Sequence, residues 1–467
     1  MEDLAKRCER LEAQVAALLE TVARQSKRIL ELEAQVRQNS QNSSKPPSSD
    51  LGKPKRKPPV DRSGRKPGGQ PGHKGTAREA VPADQVDETV EVDPETCANC
   101  GAPLGDAPRI DADVLQIIEA PEFQAFITAY HLWRKKCPRC GGFTRAKRPK
   151  GLPKGAFGPR LQALVSMMCG RFRLSRREAQ AFLSEVMGTL MSLGSVQACC
   201  ESTSVAIAQA HAALHEAVKA AAAVHADETG YGQCGEKRMW LWVAVTQTIE
   251  LFLLQPGRGG EQAKALLGED FAGILHRDRW TGYKHLLKAL HQFCWAHLRR
   301  DFQAMLETPG ETGVQGAMLK LESDKAFTLW HAFLEGKIAR EELIRRMKPI
   351  QAEIRKRLVR IRDGTDCSKK ARGTAKELLA QWEPMWTYLH AESAVPTNNE
   401  AERAIRKAVL LRKGSFGVGS EAGRQFIERI LTIVGTAKRR GIPILDWLTQ
   451  ALQAHLNGDP APDLSVC

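Results

Sequence analysis

The sequence predicts a multidomain α+β protein: an N-terminal coiled coil, a zinc-ribbon-like element, a helical segment, and a sheet-bearing C-terminal half interrupted by a helical insertion. Three observations carry that prediction. Apolar residues recur at heptad spacing from Leu4 to Val36, and C-x-x-C pairs stand at Cys97/Cys100 and at Cys137/Cys140. From Ala223 onward, three strand-like runs follow closely on one another before helical and strand-like patterns begin to alternate. At 467 residues the chain can bury more than one core.

Residues 1–38 hold the heptad. Leu4, Leu11, Leu18 and Leu32 fall on one seam position, and Val15, Val22, Ile29 and Val36 on the other, with Glu, Arg and Lys between them. This is the pattern of a coiled coil, which makes the chain a homo-oligomer, most simply a dimer. Gln25 breaks the seam with a polar group that sets register or strand number, and Cys8 occupies another seam position. An amphipathic helix packed on its own protein would show the same stripe.

Composition changes abruptly at Asn39. The stretch 39–80 runs through Lys55-Arg56-Lys57 and Gly64-Arg65-Lys66-Pro67-Gly68, where proline, glycine and like charges cannot build a core. It reads as a disordered basic linker, either a passive tether or a strand of cations riding on phosphates. The whole chain has 69 Lys+Arg against 54 Asp+Glu, a formal charge of +15. That surplus favours a polyanionic partner, of which nucleic acid is the commonest; simple solubility is the alternative. With no apolar run of about 18 residues and a terminus charged from Glu2, neither a membrane span nor a signal peptide is expected. The expected location is therefore the cytoplasm, in association with the nucleoid.

Between 81 and 152 lie the cysteine pairs. Cys97, Cys100, Cys137 and Cys140 offer four thiolates for tetrahedral zinc, with a redox pair as the alternative. The apolar runs 110–118 and 123–133, split by Glu119-Ala120-Pro121-Glu122, suggest a hairpin between them. Residues 153–222 read as short helices. Ser175 caps one running through Val186, Gly188 turns, and a second opens at Ser192, a spacing shared by helix-turn-helix units and by any small helical bundle.

The stretch 223–302 carries the chemistry. Strands are expected at Ala223–Thr229, Lys237–Thr246, Thr248–Gln255 and Gly273–Asp278, with helices at Glu261–Leu267 and Tyr283–Leu290 and a further run at His291–His297. Three antiparallel strands followed by alternating helix and strand is the order of the ribonuclease H-like fold, in which the first and fourth strands are neighbours. Asp227 and Asp278 would then sit side by side. A helical insertion at 303–395, rich in Lys and Arg, separates them from the C-terminal helices of the catalytic core at 396–450, which a tail at 451–467 follows.

The third carboxylate is a choice between Glu400 and Glu402. Thr397 and Glu400 have the spacing of a capping box, which would occupy Glu400. Glu402 lies about 200° further round the helix and is free to face the sheet. Glu228 reads as a solvated surface acid. Three carboxylates brought together bind two hard divalent cations, the requirement for in-line phosphoryl transfer. Arg403, Arg406 and Lys407 are placed to meet phosphates, and Arg299 and Arg300 join them as candidate DNA contacts. Cys294-Trp295-Ala296-His297 reads as a strand-to-helix junction bracing the site wall, with metal binding as the alternative.

Four stretches carry a family resemblance: Asn42-Ser43-Ser44-Lys45-Pro46-Pro47-Ser48-Ser49-Asp50, Asp227-Glu228-Thr229, Cys294 to Arg300, and Asn398-Asn399-Glu400-Ala401-Glu402-Arg403-Ala404-Ile405-Arg406. In these, and through Gly419-Ser420-Glu421-Ala422-Gly423, the chain resembles transposases of the insertion sequence 66 family. The resemblance implies a DDE catalytic domain with Asp227, Asp278 and Glu402 as the acidic triad holding Mg2+ or Mn2+, and a zinc element. It implies cleavage at transposon ends and strand transfer into target DNA, with accessory proteins as partners. Many family members have glycine directly after the second aspartate, so Arg279 is expected to narrow the site or touch the scissile phosphate. A zinc-containing DNA-binding regulator without catalysis, or a ribonuclease H-like nuclease without strand transfer, would share part of this pattern.

Overall fold

The computed structural model describes residues 2–36, 38–39, 42, 80–234, 237–415 and 417–464. Most of the basic linker therefore lies outside the described residues. The chain divides into two compact units, residues 52–125 and residues 1–51 with 126–467.

Helix α1 spans Glu2–Val36. Leu11, Val15, Leu18, Val22, Ile29, Leu32 and Val36 all remain exposed along it, so the apolar stripe is not used up on this chain's own core. Among the described residues no helix is long and apolar enough to cross a membrane.

In the smaller unit, the Gln116 side chain bonds both backbone groups of Val81, at 2.7 and 2.8 Å. The expected hairpin at 110–118 and 123–133 is absent: residues 110–132 form no strand. A short ribbon instead flanks the second cysteine pair in the larger unit, with β1 at Arg134–Lys136 antiparallel to β2 at Phe143–Arg145. The physical reason lies in the pattern. Ile110, Val114, Leu115, Ile117 and Ile118 do not alternate with polar residues, so a strand there would need cover on both faces. The knuckle at Cys137–Cys140, by contrast, fixes the register of whatever flanks it.

Helices α2 (Pro159–Gly170), α3 (Arg176–Met187), α4 (Leu193–Ala206) and α5 (Ala208–Lys219) follow. Ser175 closes a reciprocal capping box with Glu178, and Gly188 ends α3 in the left-handed region at φ 58°. Ser192 caps α4.

Five strands form the main sheet: β3 (Ala223–Cys234), β4 (Lys237–Val245), β5 (Glu250–Gln255), β6 (Ile274–Arg277) and β7 (Leu290–Phe293), in the order β5-β4-β3-β6-β7. The first three are antiparallel, whereas β3/β6 and β6/β7 are parallel. Helix α6 (Gly260–Leu267) connects β5 to β6. The helix expected at Tyr283–Leu290 is only a 3-10 turn, Thr281–His285, because Tyr283 and Leu286 are drawn into the core while Leu287 stays exposed.

Helices α7 (Trp295–Leu306), α8 (Glu311–Leu334), α9 (Arg340–Asp363), α10 (Lys369–Ala380) and α11 (Thr387–His390) pack around a second core that also includes Ile274 and Phe293 of the sheet. On α9 the buried residues Leu343, Met347, Ile350, Ile354, Leu358 and Ile361 form one helical stripe. Trp295 anchors this layer to the sheet. Its ring meets Trp386 at 4.8 Å, and its Nε1 donates to Met385 O at 2.6 Å.

Helices α12 (Asn399–Ser415), α13 (Glu421–Arg440) and α14 (Ile444–Asn457) return to the sheet. The outer edge of β5 is covered by α13. Thr436, Thr432 and Glu428, spaced one turn apart, accept the edge amides of Glu250 (3.2 Å), Phe252 (2.9 Å) and Leu254 (2.6 Å). A side-chain ladder thus replaces a neighbouring strand and removes an open edge. The close approach requires Gly435, where a Cβ would collide with the Glu250 carboxylate. Residues from 451 onward are not simply a tail: α14 continues to Asn457, and Leu464 is buried.

Candidate active site

Parallel pairing of β3 with β6 sets the first two acids. The register Ala223↔Ile274, Val224↔Leu275, His225↔His276, carried two residues further, places Asp227 beside Asp278. Side chains alternate across a strand, so His225 shares a face with Asp227, and His276 with Asp278. The two imidazoles stack on that face with centroids 4.0 Å apart. Burial holds both well below the usual range, at about 4 for His225 and about 3 for His276, so they are neutral packing groups at physiological pH.

Each aspartate is fixed by one local bond. Asp227 Oδ1 accepts the Glu228 amide at 2.9 Å, and Asp278 Oδ1 accepts the Trp280 amide at 2.8 Å. Burial, and then the charges of Glu228, Asp278 and Glu402, push the Asp227 carboxyl well above its ordinary value.

Glu228 departs from the sequence expectation. Rather than lying on the surface, its side chain is fully buried, accepting from Arg258 Nε at 2.7 Å and from Tyr283 OH at 2.5 Å. The Arg258 guanidinium in turn lies 4.0 Å over the Trp280 ring. The cause is alternation: next to an acid on one face of β3, the following residue enters the core on the other, and a buried charge there needs partners.

Glu402 comes from α12, and the segment before that helix is tied down group by group. His276 Nε2 accepts the Val395 amide at 2.9 Å, and Pro396 O accepts the Trp295 amide at 2.8 Å. Cys294 Sγ accepts the Asn398 amide at 3.2 Å. The buried Asn398 side chain then donates to Ala226 O at 2.7 Å and accepts from His225 Nδ1 at 3.2 Å. Asn398 therefore clamps the first turn of the Glu402 helix to the strand of Asp227. Glu402 Oε1 lies 3.5 Å from His297 Nδ1, and its Oε2 3.7 Å from Arg300 Nη2.

Glu400 does not turn back to Thr397. Its carboxylate binds Arg439 at 2.7 Å and also Arg403. Lys407 is committed as well: its Nζ sits 2.8 Å from Glu250, a buried acid also held by Arg439 at 3.0 Å, so neutralising that charge takes precedence over a phosphate. Arg299 pairs with Asp324 across α7 and α8. Arg406 is exposed and, among the described residues, has no carboxylate partner. Arg279 does not point at a substrate position. It bonds Asp301 and Glu377, each at 2.7 Å, stapling the loop after β6 to α7 and α10.

The two cysteine turns are built alike. In one, the Gly101 amide donates to Cys97 O at 2.8 Å, with Gly101 at φ 73°; in the other, the Gly141 amide donates to Cys137 O at 2.9 Å, with Gly141 at φ 71°. Backbone amides of Asn99 and Cys100 lower the Cys97 thiol pKa, and those of Cys140 and Arg139 lower that of Cys137. Both turns thus favour the thiolate, the form that ligates metal.

A sequence model of the family described as "Transposase IS66 family" matches residues 154–426, more than half the chain. The chain belongs to that transposase family. All three acids fall inside the matched span. A second model, "Family of unknown function (DUF6444)", matches residues 2–79. Two relatives from Sinorhizobium fredii are both described as uncharacterized proteins. The IS66-family chain is 26% identical to y4qI over 283 residues, 54% of this chain and 51% of that protein. It is 24% identical to y4hP over 414 residues, 80% and 73% respectively. The chain thus spans about half the length of the first relative.

The sequence alone gives no positioning role to Asn398, His225, His276 or the Glu228–Arg258–Tyr283 group. Only Asn398 left a signal, in the Asn-Asn pair ahead of the helix.

Proposed function

We propose that this chain is a DDE transposase that binds transposon ends, cuts them and joins them to target DNA, with Asp227, Asp278 and Glu402 as its metal-binding triad. What supports the reading is the register of β3 and β6, which brings Asp227, inside β3, close to Asp278, just past the end of β6, with the start of the Glu402 helix held to β3 by Asn398. The sheet order, three antiparallel strands with β6 and β7 added in parallel beside β3, supports a ribonuclease H-like catalytic domain.

The donor set suits hard divalent ions. Three carboxylates offer oxygen alone, the ionised form of Asp227 is disfavoured by burial and then by its acidic neighbours, and Glu402 Oε1 is buried without a hydrogen bond. Asp227, Asp278 and Glu402 would hold two Mg2+ or Mn2+ ions, which supply activation of water or a 3′-hydroxyl and stabilisation of the leaving oxygen. The protein's own part is positioning. The Asx turn at Asp278, the Asn398 clamp and the Arg279 staple keep the carboxylates in place, while Arg406 and Arg403 on α12 offer cations to the DNA backbone beside them.

Asp278→Asn should keep end binding yet lose cleavage and strand transfer by at least about 100-fold. Cleavage at the normal rate by that variant, measured on a labelled end substrate, would remove Asp278 from the triad.

We further propose that each turn, Cys97 with Cys100 and Cys137 with Cys140, presents thiolates that bind structural zinc. Purified protein prepared without chelator should contain stoichiometric zinc by elemental analysis. Its absence would leave the turns as simple backbone folds.

A further inference from the structure

Beside the triad lies a second set of donors with different chemistry. Cys294 Sγ, a His297 ring nitrogen and a Glu402 carboxylate oxygen all lie within 4.8 Å of one another. Cys294 is buried at the end of β7, and His297 stands one turn into α7, so a C-x-x-H spacing across a strand-to-helix junction faces a helix from the far end of the sequence. Two of these atoms, His297 Nδ1 and Glu402 Oε1, are buried with no hydrogen-bond partner, although they lie 3.5 Å apart. Leaving two such groups unpaired costs free energy unless something else occupies the space between them.

The spacing identifies an occupant. Two N and O ligands on one tetrahedral ion, each bonded at about 2.1 Å, stand about 3.4 Å apart, and a sulfur at about 2.3 Å stands slightly further. A carboxylate, an imidazole and a thiolate suit zinc or cobalt much better than magnesium, which prefers oxygen alone. The remaining Glu402 oxygen faces Arg300 Nη2 at 3.7 Å, and the Asn398 amide bonded to Cys294 Sγ would stabilise a thiolate.

We propose that Cys294, His297 and Glu402 form a mixed-donor site for a borderline divalent ion such as Zn2+ or Co2+, distinct from the all-oxygen pair sites of the triad. Binding replaces the Cys294 thiol proton, which leaves to solvent, and involves no oxidation or reduction. Because Glu402 belongs to both donor sets, an ion held here withdraws it from Asp227 and Asp278. That consequence, inhibition of magnesium-dependent cleavage by zinc, rests on the triad reading; the site itself does not.

The test titrates full-length protein with Co2+ and reads the absorbance as the difference between wild type and Cys294→Ser, so that cobalt held elsewhere cancels. Wild type should take up one equivalent more than that variant, with a sulfur-to-cobalt charge-transfer band. Cys294→Ser should lose that band, and His297→Gln, at a mostly buried position, should weaken binding by at least about tenfold. Asp227→Asn should leave both unchanged. No band in wild type, or unchanged affinity in His297→Gln, overturns the site. If the cobalt results hold while Asp227→Asn still cleaves DNA, the triad reading fails and the mixed-donor site stands.

Discussion

Asn398 shows how one uncharged side chain can organise a charged site. Its amide reaches Ala226 O, its carbonyl oxygen takes the His225 proton, and its backbone N–H caps a thiol, so three elements meet at one buried residue. Asn398→Ala should leave the carboxylates intact but free the start of α12. The expected outcome is a 10- to 100-fold loss of cleavage, the order seen when groups that orient metal ligands are removed, with end binding retained. Activity unchanged within twofold would mean that α12 is held by packing alone. The same scale explains why Glu228 was misread. Nothing in a lone Asp-Glu pair reveals which acid points inward, and the decision falls to Arg258 and Tyr283, both distant in the chain.

At the scale of elements, the edge ladder on β5 carries a pH dependence. Burial pushes the Glu428 carboxyl up to about 7 from an ordinary 4.5, against the opposing pull of the Leu254 amide and Arg424. A carboxyl raised in the folded state stabilises fully below about 4.5, and that contribution is lost as pH rises through about 7. Glu428→Gln keeps an acceptor for Leu254 and removes the titration. Its stability relative to wild type, from urea melts, should therefore improve between pH 5 and pH 8, by something of the order of 3 kcal/mol at most. A difference that stays flat with pH would show that Arg424 keeps Glu428 ionised throughout. The ladder, Thr436-x-x-x-Thr432-x-x-x-Glu428 read backward along α13, looks in sequence like any polar helix face; only the arrival of β5 gives it a function.

For the whole molecule, the exposed stripe on α1 and the surplus of 69 basic over 54 acidic residues point outward, to another copy of the chain and to a polyanion. Removing residues 1–38 should lower the mass measured by light scattering to that of a smaller assembly, most simply from dimer to monomer. An unchanged mass would place the oligomer interface elsewhere. The helices between Asp278 and Glu402 pack around an apolar core that also takes in Ile274 of β6 and Phe293 of β7, so the long intrusion is seated on that side of the sheet. They join the site through a few fixed points, among them the Arg279 staple and the Trp295 anchor.

Periodicity and spacing alone were enough for the helix that carries the heptad, the capped helices at Ser175 and Ser192 and the closely spaced strands from Ala223, because each is written in residues near one another. The cysteine turns were legible for the same reason: C-x-x-C followed by glycine is a local shape. Where partners are remote, the sequence was silent or misleading. The absent hairpin at 110–133, the commitment of Lys407 to Glu250, the inward turn of Glu228 and the meeting of Cys294 with Glu402 all depend on which surfaces come together. Burial removes water as a partner, so a charged or polar group must then take whatever the fold brings to it, and that is decided only in three dimensions.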